Sequence, residues 1–100
     1  MQTAGEMMLK KPSALSVPER RVLIDHLATT IVKLTHGLAE AGQLELLPAM
    51  LETKETLRRL TDDLAVTNTD YSDRIIAGAV QLVATTEALL EDEFLSYTIH

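Results

Sequence analysis

The chain contains no cysteine and no tryptophan, and its aromatic side chains are limited to Tyr71, Phe94 and Tyr97. Without cysteine there are no disulfides and no thiolate-held metals. Small secreted domains usually depend on such staples, so the cytoplasm is the expected compartment. With so few rings, a core has to be assembled from Leu, Ile, Val, Ala and Met. The scattered glycines, four in all, leave no loop able to cradle a phosphate.

Catalytic patterns are missing too. Ser13, Ser16, Ser72 and Ser96 have no His and Asp in a triad-like arrangement nearby, and Gly-x-Ser-x-Gly does not occur. Asp25 and His26 are adjacent in sequence, which on a helix points them about 100° apart. His36 and Glu40 share a helix face, but two ligands fall short of the three or four of a zinc site, and His26 points elsewhere. Glu87 and Glu91 also share a face without starting the Glu-x-x-His pattern of di-iron bundles, so they read as solvated acids. The sequence therefore predicts a protein that is not an enzyme and carries no metal and no cofactor.

Long apolar runs are absent. The longest uncharged stretch, 75–86, is interrupted by Gly78, Gln81, Thr85 and Thr86 and falls well short of the ~20 apolar residues of a membrane span. The first residues, MQTAGEMMLKKP, lack the charge order and cleavage site of a secretory signal. A soluble chain with no membrane partner is expected.

Positive charge is scarce in the second half. Residues 1–60 carry eight Lys/Arg against seven acids, whereas residues 61–100 carry Arg74 against eight acids, in a chain of net charge −6. Phosphate binding needs clustered cations, and the one basic group, Arg20-Arg21 with Lys10-Lys11, reads as a solvated helix start. Nucleic acid is not the expected partner. A basic protein surface is.

What the chain does contain is helical periodicity. Its 100 residues suit one domain, with residues 1–15 expected as a flexible arm and 16–100 as the folded unit. Ser16-Val17-Pro18-Glu19 is a capping box with proline in the first turn. From it Ile24, Leu27, Ile31, Leu34, Leu38 and Ala41 form an a/d seam, closed by Gly42 as a left-handed cap. Gly37 within this span either weakens the helix or admits a close neighbour. Leu46, Met50, Thr53, Leu57, Leu60 and Leu64 repeat the seam, with Pro48 in the first turn. Thr67-Asn68-Thr69-Asp70 breaks the pattern and offers N-cap side chains. The last helix carries two heptad rows, Ile76–Val83–Leu90–Tyr97 and Ile75–Leu82–Leu89, and ends in Glu87, Glu91, Asp92 and Glu93.

Helices are thus predicted over about 17–41, 46–66 and 70–97. The fold class is all-α, an antiparallel three-helix bundle expected to self-associate into a larger helical bundle, most simply a homodimer, because the last helix is wider in apolar surface than two neighbours need; a groove reserved for a partner explains the same surplus. Residues 38–47, LAEAGQLELL, resemble the helical hairpin of small flagellar export chaperones. That resemblance implies a binder of an exported substrate.

The expected function is a protein–protein interaction in which this chain masks a larger protein, as an antagonist of a basic transcriptional regulator would. Ile75, Leu82, Leu89 and Phe94 are the expected anchors, and Glu87, Glu91 and Asp92 the polar rim. The alternative is a secretion or export chaperone that holds an amphipathic helix of its substrate.

Overall fold

Ser16 accepts a hydrogen bond from the Glu19 N–H at 3.3 Å, and Glu19 reaches back to accept from the Ser16 N–H at 3.0 Å. This reciprocal cap, with Pro18 in the first turn, starts the helix α1, Val17–Glu40. The computed structural model describes residues 14–67 and 69–99, with side chains as far as Glu91. Met7, Met8, Leu9, Lys10 and Lys11 lie outside the described residues, as do the side chains of Asp92, Phe94 and Tyr97. Leu15, placed by sequence in the N-terminal arm, instead lies in the core at 6% exposure.

The end of α1 is fixed by backbone geometry. Gly42 has φ +74°, the left-handed region that glycine enters without a Cβ penalty. Its N–H bonds the Ala39 carbonyl at 3.2 Å, and the Gln43 N–H bonds the Leu38 carbonyl at 2.9 Å. These are the paired bonds of a Schellman motif, and they satisfy carbonyls that the helix end would otherwise orphan.

The next segment starts with Pro48 in its first turn, as its sequence indicates, but forms two helices where one was expected: α2, Leu47–Arg59, and α3, Thr61–Val66. The break is Leu60, at φ −108°, ψ 16°. The Thr61 hydroxyl donates to the Leu57 carbonyl, the group that accepts the Thr61 N–H in an unbroken helix. Threonine competing for this acceptor favours a bend, although Thr35 and Thr86 make the same bond within unbroken helices, so at Leu60 it acts together with the flanking charges. Flanking charge helps: Arg58 and Arg59 close α2 and Asp62 and Asp63 open α3, each sign placed as the helix dipoles prefer. The last helix, α4, spans Asp70–Ile99.

The chain is all-helical over its described residues. Helix α1 packs against each of the other three. Its seam residues Ile24, Leu27, Ile31 and Leu38 are fully buried, as are Met50, Leu57 and Ile76. The described core is aliphatic plus Met50, in keeping with the shortage of rings. Two contacts set the register of α1 and α4. The Arg20 Nη2 lies 3.7 Å from the Asp73 Oδ1, and a Cβ added at Gly37 would meet Leu90 Cδ1 at 3.2 Å. Seventeen residues on α1 thus match seventeen on α4 in the same direction. Gly37 is where α1 comes close to the Leu90 side chain of α4.

Candidate functional site

The row Ile75, Leu82 and Leu89 is half-buried and packs against the edge of the core. The parallel row sits deeper, with Ile76 and Val83 buried and Leu90 half-buried. Thr86 fixes the direction in which the outer row points. Its hydroxyl donates to the Leu82 carbonyl at 2.8 Å and lies 3.5 Å from the Met50 sulfur on α2. Leu82 and Leu89 stand one turn before and one turn after Thr86, on its side of the helix. The row therefore forms the flank of α4 turned toward α2. Glu87 and Glu91 are exposed, while Phe94 and Asp92 fall outside the described side chains. The most open large apolar residues of the described chain lie elsewhere, at Leu44, Leu51, Val22, Val66 and Tyr71.

His36 and Glu40 are both exposed, as are Asp25 and His26. Among the described residues no group of three or more His, Asp and Glu is arranged to hold a metal. Also among the described residues, no helix is long and apolar enough to cross a membrane.

The largest departure from expectation is Arg20. A basic residue in the first turn of a helix reads as solvated, yet Arg20 is 2% exposed, while its neighbour Arg21 is open and reaches Asp62 at 3.5 Å. The two N–H groups of the Arg20 Nη2 serve three acceptors, one N–H being shared: the Leu64 carbonyl at 2.7 Å, the Thr67 carbonyl at 3.1 Å and the Ser72 hydroxyl at 2.9 Å. The two carbonyls belong to the C-terminal end of α3, where the dipole favours a cation. A buried guanidinium is tolerated because it meets fixed acceptors.

Ser72 is the second hub. It is 1% exposed, and its hydroxyl donates to the Thr67 carbonyl while accepting from Arg20 and from the Thr69 N–H. One donor and two acceptor sites are the full capacity of a serine hydroxyl. Thr69 returns the cap by accepting from the Ser72 N–H at 3.3 Å. The start of α1, the end of α3 and the start of α4 are thus joined through one arginine and one serine.

Beside this junction is a shallow pocket of about 110 Å³, lined by Leu60, Asp63, Leu64, Thr67, Thr69, Tyr71 and Ser72. It is too small for a metabolite, since ligand clefts usually run to about 300–1,000 Å³. Its polar serine is already committed to Arg20.

No protein-family model matches the chain, and comparison with curated proteins and with solved structures finds no match. The functional reading rests on the chain's own residues.

Proposed function

We propose that this chain is a small interaction protein that binds a larger protein through α4 and masks part of its surface. Ile75, Leu82, Leu89 and Phe94 are the anchors, and Glu87, Glu91 and Asp92 form the polar rim. A basic partner surface, such as that of a DNA-binding transcriptional regulator, complements this rim in charge. The observation that carries the reading is the half-buried state of Ile75, Leu82 and Leu89. Three large aliphatic side chains in one row retain accessible surface after the chain's own helices have packed. Burying the remainder against a partner is favourable by about 25 cal/mol per Å².

In this proposal α2 and α3 together are the middle member of an antiparallel three-helix bundle. Two copies associate along the α4 row when the larger partner is absent, a self-complementary pairing common among small proteins. Helix α4 also outruns its neighbour: Gly37 stands against Leu90 and α1 ends at Glu40, whereas α4 continues to Ile99. The orientation of the row toward α2 supports a second reading. A seam between two helices is where an export chaperone would hold an amphipathic helix of its substrate.

The test is the solution mass of the full chain by light scattering, together with capture of partners from the native host. The wild-type chain is expected at twice its own mass. Leu82→Ser with Leu89→Ser is expected at the single-chain mass with its helical circular dichroism retained. Glu87→Lys with Glu91→Lys, both on exposed positions, is expected to lose the captured partner without unfolding. A single-chain wild type that captures nothing would overturn the proposal, as would association that both double variants leave unchanged.

A further inference from the structure

We infer that the pocket at the α3–α4 corner is a docking point for one arginine side chain of a partner protein. The face concerned is distinct from the Glu87 and Glu91 rim, which lies about 22–28 Å further along α4 by helical rise. Leu60, Asp63, Leu64 and Thr67 follow a spacing of three, four and seven residues, so one side of the α3 corner faces the pocket. Thr69, Tyr71 and Ser72 close it from the start of α4.

Three properties select the occupant. The volume, about 110 Å³, is that of a single side chain. Its walls include Leu60, Leu64 and Tyr71, which suit an aliphatic stem, and Tyr71 is 63% exposed at the rim, where a planar cation can stack. Asp63 is the one lining residue that carries a charge, and its exposed carboxylate has no cationic partner among the described residues. An apolar stem ending in a delocalised, planar cation is arginine.

An anion is the competing occupant, because a helix N-terminus favours negative charge. Asp70 and Asp73 already stand in the first turn of α4. Ser72 and Thr69 cap each other's N–H groups, and the Asp73 N–H bonds the Thr69 carbonyl at 3.0 Å. The preference for an anion at that end is satisfied by the chain itself. Three of the chain's own cations have other contacts: Arg20 is buried in the junction, Arg21 faces Asp62, and the Arg74 Nε donates to the Asp70 carbonyl at 3.4 Å.

The inference shares with the proposed function the expectation of a basic partner, but a small probe separates the two. The full chain, ¹⁵N-labelled, is titrated with Nα-acetyl-arginine methylamide and, separately, with the citrulline derivative, which has nearly the same shape and no charge. Saturable amide shifts confined to residues around Asp63, Thr67, Thr69 and Ser72 are expected with the arginine probe in the millimolar range typical of one-residue ligands. Citrulline is expected to bind at least about fivefold more weakly, and Asp63→Asn and Tyr71→Ala each to weaken the arginine probe by about two- to fivefold. Asp63 is exposed, so its variant keeps the fold even if Tyr71→Ala does not. Equal binding of citrulline, unchanged binding by Asp63→Asn, or shifts centred on Glu87 and Glu91 would each overturn the inference. The probe titration is read on this chain alone, so its failure and the failure of dimerisation or partner capture are separate results.

Discussion

Replacing Arg20 by methionine isolates the work done by its guanidinium. Methionine keeps most of the apolar stem, so the loss is confined to the polar head. The Leu64 carbonyl, buried and bonded to Arg20 at 2.7 Å, is left without that donor. Hydrogen bonds to charged groups contribute about 1.5–3 kcal/mol each, and an orphaned buried acceptor costs about 1–3 kcal/mol. The Thr67 carbonyl loses less, because the Ser72 hydroxyl still donates to it. The ion pair with Asp73, at 3.7 Å with the acid 28% exposed, adds little after screening. Together these give a loss of about 3–4 kcal/mol, from a total of about 5–15 kcal/mol expected for a domain of this size.

Some buried ion pairs can be exchanged for apolar residues at no cost, because both partners are removed together. That escape is closed here, since the main acceptors are backbone carbonyls that no substitution removes. Arg21→Met is the internal control. Its pair with Asp62 is 3.5 Å long between side chains 51% and 82% exposed, and such pairs contribute under about 1 kcal/mol. Urea unfolding followed by helical circular dichroism is the assay, with a midpoint lowered by about 1.5–2 M for Arg20→Met and barely moved for Arg21→Met. Equal midpoints for the two variants would refute the assignment of Arg20 as the clamp between α1, α3 and α4.

Two glycines make further predictions. Gly42→Ala is expected to cost about 1–2 kcal/mol by thermal or urea unfolding, purely from its φ of +74°, because nothing lies within 4 Å of the added Cβ. Asn at Gly42 is expected to cost less, since it tolerates that region. Gly37→Ala gains about 1 kcal/mol of helix propensity but pushes on Leu90 Cδ1 at 3.2 Å, so the net change is small. Repeated on a Leu90→Ala background the gain is expected in full, and a double-mutant cycle showing strict additivity would argue against the contact.

Much of the architecture was legible because caps and periodicity are local. The Ser16 capping box, Gly42 and Pro48 each act within a few residues of themselves, and four of the six seam residues of α1 (Ile24, Leu27, Ile31 and Leu38) are buried, with Leu34 and Ala41 half-buried. The Leu60 break was legible in principle. Arg58-Arg59 followed by Thr61-Asp62-Asp63 is the charge order of one helix ending and another starting, although the apolar seam runs through it unbroken. The Arg20 junction was not visible as a solvated helix start, because its acceptors lie 44 and 47 residues away. A trace of it exists in the pattern. Stepping the α1 seam back by four from Ile24 lands on Arg20, and stepping back by four from Ile76 lands on Ser72, so two polar residues occupy core positions. Thr86 is a third, three residues after Val83. Polar residues in register with a seam signal partners that must be found elsewhere in the chain.

These buried polar residues bear on function because they decide how α4 is held. Ser72 and Asp73 tie its first turn to Arg20, Thr86 meets Met50 on α2, and Leu90 lies over Gly37. All of these attachments fall on the face or the end of α4 turned toward its neighbours, and they fix its rotation about its own axis. A helix held only by apolar contacts could roll and bury Ile75, Leu82 and Leu89 in exchange for Ile76 and Val83, since the two rows are adjacent and similar in composition. The hydrogen bonds at Ser72 and Thr86 have no counterpart one residue earlier, where Tyr71 and Thr85 are exposed. They therefore penalise such a roll by the desolvation of their buried partners. The accessible edge of the Ile75 row is thus specified by polar contacts at Ser72, just before the row begins, and at Thr86 within it.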